Sequence, residues 1–293
     1  MSAPTTARLR RVRDALLCWY DAEHRDLPWR ATRDPYAVMV SEVMLQQTQA
    51  TRVAERFDRF LERFPSAQAL AASPPSSVLA EWSGLGYNRR ALALQRAAAA
   101  VVARGWPRDV AGLERLPGIG PYTARAIASL AFGRPVGVVD TNVRRWLLRR
   151  FVVDDAPRPL QALADALAGV GRDGRADAWT HATMEFGARV CGARAPRCYG
   201  CPISRGCPSR GLGRAIPVPR QAPLAGSDRE LRGAVIRSLS TIAGHAMPAE
   251  ALRDSVPGAD PDRWERVVGS LERDGLLHRS DGLVRLGTAT IGP

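Results

Sequence analysis

The sequence predicts an all-α core followed by a small C-terminal module that contains a β-hairpin. Apolar residues recur with a helical period through most of the first 210 residues, and no convincing alternating strand pattern occurs there. Near the C-terminus, a Ser-Asp-Gly turn between two short β-like runs predicts the hairpin. With 293 residues, the chain has room for two domains and a sizeable core.

The helical pattern starts near the N-terminus and is punctuated by short segments rich in Pro, Gly and Ser. The first predicted helix covers residues 8–21, and a loop follows at 26–30. Pro35 fits the first turn of a second helix that continues to about residue 53. Further helices are predicted at 55–64, 78–83, 89–103, 123–131, 142–150, 160–170 and 176–190.

The C-terminal region reads as a separate small module. Residues 208–227 have the Pro and Gly content of a linker. Three helices at 229–242, 248–255 and 261–274, followed by the hairpin within 276–286, predict a winged-helix-like module. Its third helix carries three Arg and four acidic residues, a balance that argues against simple insertion into a DNA groove. Two roles stay open for the module: bracing the core, or contacting a protein partner.

Charge and composition narrow the class of protein. The chain has 42 basic and 29 acidic residues, a net charge of +13, which suits a nucleic acid partner. It contains neither an apolar run long enough for a membrane helix nor a signal peptide pattern, so a cytoplasmic protein without membrane contact is expected. All the basic residues are Arg, so no Lys side chain can form a Schiff base.

Four of the five Cys residues are spaced as Cys191-x6-Cys198-x2-Cys201-x5-Cys207. Zinc sites usually show two facing Cys-x2-Cys pairs, and this stretch has only one. A compact loop of four thiolates suits a [4Fe–4S] cluster, and a closed zinc loop or reduced thiols are the alternatives. The spacing resembles the cluster loop of the endonuclease III-like DNA glycosylases.

A glycine-rich turn, Leu116-Pro117-Gly118-Ile119-Gly120, precedes the helix at 123–131. Flanked by helices, it resembles a helix-hairpin-helix motif, whose backbone N–H groups bind DNA phosphates. Asp140 then follows an apolar run and precedes the helix at 142–150. From local sequence alone, Asp140 is best explained as the N-cap of that helix.

Hairpin, Asp140 and four-Cys loop occur in the order typical of the helix-hairpin-helix glycosylase superfamily. This resemblance implies a two-lobed fold with the active site in the cleft between the lobes. Bifunctional members have a catalytic lysine after the hairpin glycines, whereas this chain has Tyr122. The resemblance therefore implies a monofunctional glycosylase in which water, not an amine, attacks the sugar.

Two motifs, Leu27-Pro28-Trp29-Arg30 and the segment from Pro35 to Thr48 that contains Ser41-Glu42-Val43 and Gln46-Gln47-Thr48, resemble the MutY-type adenine glycosylases. Val38, Met39 and Leu45 surround Glu42 on its helix, and an acid in an apolar setting has a raised pKa. The resemblance implies that Glu42 donates a proton to adenine N7 and that Asp140 stabilises the cationic sugar.

Other residues acquire roles from the same resemblance. Gln47 and Tyr87 correspond to residues that wedge into the DNA stack while adenine is flipped out, and Asn142 to one that polarises the region of the water and sugar. Arg25, Trp29, Arg30 and Glu185 are implied around the flipped base and the cleft edge, and Gly118 and Gly120 at the DNA backbone. On the residues alone, Arg89, Arg90, Arg144 and Arg145 are candidate phosphate contacts, although charges on a solvated helix face are the default interpretation.

The resemblance covers about residues 9 to 208. The predicted domains are an N-terminal helix (1–27), a barrel lobe with the hairpin (28–135), a cluster lobe (136–210), a linker (211–227) and the module (228–293). Many family members carry a C-terminal domain that resembles MutT hydrolases and reads 8-oxoguanine through a Phe-Ser-His loop, which is not found after Cys207. Preference for 8-oxoguanine over guanine is therefore left open.

The expected substrate is double-stranded DNA with adenine opposite 8-oxoguanine or guanine, acted on by a monomer at the bacterial nucleoid. A thymine or uracil mismatch glycosylase is the nearest alternative, since it shares the hairpin, Tyr, Asp and cluster. A non-catalytic iron–sulfur DNA-binding regulator is the alternative from another class. Gln46-Gln47-Thr48 favours adenine, and the pairing of Glu42 with Asp140 favours an enzyme.

Overall fold

Helices make up most of the computed structural model, which describes residues 4–171, 173–212, 216, 222–256 and 260–288. No helix in these ranges is long and apolar enough to cross a membrane. The helices are α1 (Thr6–Glu23), α2 (Pro35–Leu45), α3 (Ala50–Arg63), α4 (Ala67–Ala72), α5 (Pro75–Trp82), α6 (Arg89–Arg104), α7 (Val110–Glu114), α8 (Pro121–Leu130), α9 (Thr141–Phe151), α10 (Pro157–Gly169), α11 (Ala176–Arg189), α12 (Asp228–Ser240), α13 (Ala249–Asp254) and α14 (Pro261–Arg273). The strands are β1 (Ala246–Pro248), β2 (Leu277–Ser280) and β3 (Leu283–Leu286).

The helical class predicted from the sequence is confirmed, and most predicted helices lie within a few residues of the observed ones. The prediction of one helix from Pro35 to about residue 53 is wrong. This segment forms α2 and α3, separated by a turn at 46–49 in which Gln47 has φ 57°. A left-handed residue cannot continue a right-handed helix, so α2 ends before it.

The chain forms two compact units. The first comprises the described residues of 1–42, 107–115 and 119–219. Its core is formed by α1, α9, α10 and α11, whose largest buried side chains include Trp146, Trp179 and Phe186. The edges of Trp146 and Trp19 meet Phe186 in T-shaped contacts at 5.8 and 5.9 Å between ring centroids.

The second unit comprises the described residues of 43–106, 116–118 and 220–293. Here α6 packs against α4 and α5, while α12 and β3 pack against α5. The sheet has the order β1-β3-β2 with both pairs antiparallel, so the predicted hairpin is present and β1 adds a third strand. The C-terminal module thus groups with 43–106, and 28–42 group with the cluster region, unlike the domain boundaries predicted from sequence. Part of the predicted linker, at 213–215 and 217–221, lies outside the described residues.

Candidate active site

Glu42 lies in α2 within the first unit and is only 2% exposed. Its neighbours on the helix, Val38 and Met39, are also buried. The Tyr122 hydroxyl, from α8, hydrogen-bonds the Glu42 carboxyl group, and Glu42 Oε2 has no hydrogen-bond partner within the described part of the chain. Such a buried, unpartnered oxygen is uncommon in a folded protein and indicates a functional position.

The surroundings of Glu42 favour its protonated form. Burial raises its pKa, the Tyr122 hydrogen bond lowers it, and the nearby Asp140 raises it again, with a net pKa of about 7. Burial is the largest cause because transfer from water penalises the carboxylate much more than the neutral acid. Glu42 can therefore hold a proton near neutral pH and release it during a reaction.

Asp140 combines a structural and a chemical position. It is the N-cap of α9: its Oδ1 accepts a 2.6 Å hydrogen bond from Val143 N–H, and its Oδ2 accepts one of 2.8 Å from Asn142 Nδ2. Burial raises the pKa of Asp140, while these hydrogen bonds and the positive charge of Arg145 oppose the rise. The N-cap explanation is thus correct, and the capped carboxyl group lies close enough to Glu42 to affect its pKa.

Asn142 and Arg145 hold Asp140 in place from behind. Arg145 Nη2 donates to Asn142 Oδ1 at 2.8 Å and to Gly187 O at 2.5 Å. A Cβ atom at Gly187 would lie 2.7 Å from Asn142 O, so the approach of α11 to α9 requires glycine there. The sequence prediction that Arg145 contacts phosphate is wrong, because the residue is 5% exposed and its guanidinium bonds internal carbonyls.

Glu185, from α11, binds two arginines of the loop after α1. Arg25 donates to both of its oxygens at 2.7 Å, and Arg30 Nη2 donates to Oε2 at 2.8 Å. Burial would raise the pKa of Glu185, but the hydrogen bonds and charges of Arg25 and Arg30 lower it to about 2. The structure therefore brings these three predicted residues together as one ion-paired group with Glu185 ionised.

Gln47 and Tyr87, the predicted wedge residues, lie in the second unit on two exposed turns. Both adopt left-handed backbone conformations, with φ 57° and 47°, and Tyr87 is 41% exposed. Trp29 is 4% exposed and lies in a short 3₁₀ turn at Pro28–Arg30.

The predicted hairpin is formed by α7, the turn at 116–120 and α8, with α7 packed against α8. Gly118 has φ 75°, and a Cβ atom there would lie 2.6 Å from the Ala93 side chain, so both backbone and space require glycine. Gly120 precedes Pro121 as the N-cap of α8 and, having no side chain, makes no side-chain capping hydrogen bond to the start of this helix.

The four cysteines Cys191, Cys198, Cys201 and Cys207 line one pocket together with Trp146, Arg149, Arg150, Phe186 and Ile203. Among the described residues, no three Cys, His, Asp or Glu side chains form a group placed to hold a metal ion. The four sulfurs instead surround the pocket. A four-iron cluster distributes its four thiolate ligands in this way, one to each iron, and the donor set therefore fits it.

Arg149 and Arg150, from the end of α9, hold this loop of cysteines. Arg149 Nη1 donates to Gly192 O at 2.7 Å and contacts Cys191 Sγ at 3.5 Å, and its Nη2 donates to Ala193 O at 3.0 Å. Arg150 Nη1 donates to Gly206 O at 3.1 Å. Burial raises the pKa of Cys191, and the Arg149 guanidinium opposes that rise.

Sequence reasoning missed the roles of these interior arginines and of Arg90. Arg90, predicted as a phosphate contact, directs its guanidinium to backbone carbonyls of its own unit, so that prediction is wrong. An Arg within an apolar helical stretch, such as Arg149 after Trp146-Leu147-Leu148, is the signal that could have indicated an interior position. The +13 charge of the chain is thus partly internal.

The chain matches the model of the HhH-GPD superfamily of base excision DNA repair proteins over residues 40–170. It is 42% identical to an adenine DNA glycosylase of Mycolicibacterium smegmatis over 90% of this chain and 92% of the relative. It is 41% identical to the human adenine DNA glycosylase, over 70% of this chain and 40% of the relative. Among solved structures, a thermostable thymine-DNA glycosylase is similar with a TM-score of 0.65 and 29% identity, covering 71% of this chain and all of that one.

Proposed function

The chain belongs to the adenine DNA glycosylases, within the HhH-GPD superfamily of base excision DNA repair proteins, and we propose that it hydrolyses the N-glycosidic bond of adenine mispaired with 8-oxoguanine or guanine. The observation that carries this proposal is a pair of carboxyl groups in one unit, the buried Glu42 and the partly buried Asp140. Glu42 has a free oxygen and a pKa of about 7, whereas both oxygens of Asp140 are bound by donors.

In the proposed reaction, Glu42 donates its proton to N7 of the flipped adenine. The electron pair of the C1′–N9 bond then leaves with the base, and an oxocarbenium-like sugar remains. Protonation makes adenine a better leaving group, which is the contribution of a general acid. Water adds its oxygen to C1′ and returns a proton to the site, so the products are free adenine and an abasic site.

Asp140 stabilises the positive charge that develops on the sugar. For this it must be ionised, and the donors Val143 N–H, Asn142 and the charge of Arg145 all favour the carboxylate. Asn142 is a positioning residue in this scheme, since its amide bridges Asp140 and Arg145. Tyr122 occupies the place of the lysine of bifunctional relatives and hydrogen-bonds Glu42, which supports a monofunctional enzyme.

The ion-paired group of Arg25, Arg30 and Glu185 is proposed to contact the flipped adenine. Glu185 accepts from both arginines and fixes their guanidinium planes. Arg25 keeps a 42% exposed side chain, so it remains available to a ligand. Gln47 and Tyr87 are proposed to enter the DNA stack, and the Gly118–Gly120 turn is proposed to bind the backbone.

We also propose that Cys191, Cys198, Cys201 and Cys207 hold a [4Fe–4S] cluster. When bound, the cluster supplies a rigid centre for a DNA-binding loop and takes no part in hydrolysis. Arg149 and Arg150 hold the same loop through its carbonyls.

The proposal is tested by single-turnover cleavage of four duplexes: adenine opposite 8-oxoguanine, adenine opposite guanine, thymine opposite guanine, and uracil opposite guanine. Each reaction is quenched with and without alkali. Cleavage at adenine only, and only after alkali, is expected, because a monofunctional enzyme leaves the abasic strand intact. The ratio of the two adenine rates measures the preference for 8-oxoguanine.

Each other result contradicts a defined part of the proposal. Cleavage at thymine or uracil would assign the protein to the mismatch-pyrimidine glycosylases. Strand cleavage without alkali would contradict a monofunctional reaction. Binding without cleavage by cluster-loaded protein would indicate a regulator.

A further inference from the structure

Two exposed turns of the second unit share an unusual backbone feature. Gln47, in the turn between α2 and α3, and Tyr87, in the turn before α6, both have positive φ without being glycine. Side chains other than Gly, Asn and Asp rarely adopt this region, and they persist there only when surrounding contacts fix them. The contacts that fix these two turns therefore bear on what the turns do.

One side chain, Arg90 at the start of α6, bonds both turns. Its Nη1 donates to the carbonyl oxygens of Val43, Met44 and Gln46 at 2.7, 3.0 and 2.5 Å. These carbonyls belong to the C-terminal end of α2 and the residue just before Gln47, where helical hydrogen bonding runs out.

The other terminal nitrogen of Arg90, Nη2, bonds the turn that contains Tyr87. Nη2 donates to Leu85 O at 3.2 Å and Gly86 O at 3.0 Å, the two residues before Tyr87, and to Thr48 Oγ1 at 3.1 Å. The Thr48 hydroxyl itself donates to Leu85 O at 3.3 Å, so the two turns are also joined directly.

Aromatic rings complete the surroundings of Arg90. Its guanidinium carbon lies 5.3 Å from the centroid of the Trp82 ring and 5.5 Å from that of Tyr87. The planar guanidinium thus donates hydrogen bonds to carbonyl groups from its edges and contacts the Tyr87 ring with its face. Arg can make both kinds of contact at once, whereas the single ammonium group of Lys cannot. Every one of these contacts lies within the second unit.

We propose that Arg90 is a positioning residue for base extrusion: it fixes the Gln47 turn and the Tyr87 turn relative to each other, so that both side chains enter the DNA stack as one rigid wedge. The inference rests on the proposed function, in which these two residues wedge while adenine is flipped out. A rigid wedge spends no binding free energy on ordering its own turns when the stack opens.

The test measures base extrusion separately from chemistry. Arg90→Gln, Arg90→Lys and the control Arg96→Gln are made in the full chain, Arg96 being an exposed residue of the same helix. In one series each also carries Glu42→Gln, and 2-aminopurine replaces the target adenine opposite 8-oxoguanine. Its fluorescence rises when the base leaves the stack.

We expect R90Q to lose most of the fluorescence rise and to excise adenine about 10- to 100-fold more slowly than R96Q in the Glu42 background. Duplex affinity should stay within about twofold of R96Q, since Arg90 is directed to the protein interior and not to phosphates. The fluorescence rise and the excision rate of R90K should lie between those of R90Q and R96Q, because a single ammonium group cannot hydrogen-bond both turns.

Equal fluorescence and equal rates for R90Q and R96Q would overturn the inference. A loss of duplex affinity that matches the loss of rate would also overturn it, because Arg90 would then be a DNA contact. Unfolding of both Arg90 variants at the assay temperature would overturn it as well, because Arg90 would then be only a core residue. Failure of the unsubstituted protein to excise adenine, measured in the same set of reactions, would contradict the proposed function instead.

Discussion

Glu42 and Asp140 are chemically similar side chains whose different neighbours suit them to different tasks. Burial raises the pKa of each. Asp140 accepts hydrogen bonds from Val143 N–H and from the Asn142 side chain, and it lies near the positive charge of Arg145. All three favour its charged form. Among the described residues, the Tyr122 hydroxyl is the one group whose hydrogen bond favours the charged form of Glu42, and the nearby charge of Asp140 opposes that form. The neighbours of Glu42 thus favour its protonated form, whereas the hydrogen bonds to Asp140 favour its charged form, as an acid–electrostatic pair requires.

Asp140→Asn separates the capping role of Asp140 from its charge. Asn is as good an N-cap as Asp, so the free energy of unfolding should change by less than about 1 kcal/mol. Excision should fall by about 100-fold or more, since the stabilising charge beside the sugar is lost. Thermal unfolding and single-turnover rates check both parts. Near-normal excision would leave Asp140 as a helix cap only.

Tyr122→Phe should move the pH dependence of excision. The Tyr122 hydrogen bond lowers the pKa of Glu42, so its removal raises that pKa. The protonated acid then survives to higher pH, and the fall in rate on the alkaline side shifts upward from about pH 7. Tyr36→Phe is the control, because Tyr36 is a buried tyrosine of α2, the helix that carries Glu42, and its pKa is raised mainly by its own burial. An alkaline limb unchanged by Y122F would contradict the assignment of that limb to Glu42.

At the scale of elements, α9 connects the two chemical centres of the first unit. Its N-cap is Asp140, and Arg145 in its middle reaches both Asn142 and the carbonyl of Cys191. Its last turn carries Arg149 and Arg150, which bond the cysteine loop. A single helix therefore fixes the carboxylate of Asp140, which is proposed to be catalytic, and the loop that is proposed to hold the cluster.

Arg149→Gln should weaken cluster retention. The substitution removes donors to Gly192 O and Ala193 O and the contact with Cys191 Sγ. Loss of such outer-shell support typically lowers metal affinity about 10- to 100-fold. The measurement is iron bound per chain after gel filtration with a chelator. Arg144→Gln is the control, since Arg144 also lies on α9 but pairs with Asp155, in the segment that follows the helix. Equal iron in both variants would contradict the role of Arg149.

Sequence patterns predicted most helices because the period of apolar residues is a local property, as in α6 and α11. They missed the break at 46–49 because the turn depends on Arg90, more than forty residues away, which bonds the carbonyls at the end of α2. They missed β1 because it is defined by pairing with β3. The charges of Arg90 and Arg145 look like surface charges in sequence, and only packing reveals their internal partners.

On the scale of the whole molecule, the C-terminal module is an integral part of the second unit. Both α12 and β3 pack against α5. Arginines of the module are paired internally: Arg263 and Arg266 with Asp228, Arg232 with Asp274, and Arg279 with Glu265 and Glu272. These pairs leave little net positive charge for a DNA phosphate backbone. Bracing of the unit is the role that the contacts favour.

Gly287→Ala tests this bracing role. Gly287 has φ 84°, and a Cβ atom there would lie 3.1 Å from Ser76 N and 3.2 Å from Pro75 Cβ, at the start of α5. Gly282→Ala is a matched control, because Gly282 has φ 74° and nothing within 4 Å of its Cβ position. Both variants bear the cost of a left-handed alanine, about 1–2 kcal/mol. G287A should lose about 1–3 kcal/mol more from the forced separation. Equal midpoints of thermal unfolding would show that the module does not depend on this contact.

The proposed mechanism depends most directly on Glu42 as the proton donor. The decisive measurement is single-turnover excision of adenine opposite 8-oxoguanine by the Glu42→Gln protein, with duplex affinity measured on the same preparation. Gln fills the same space but has no acidic proton, so excision should fall by about 100-fold or more while affinity stays within about threefold. Excision at a near-normal rate would contradict the general-acid role of Glu42 and, with it, the proposed mechanism.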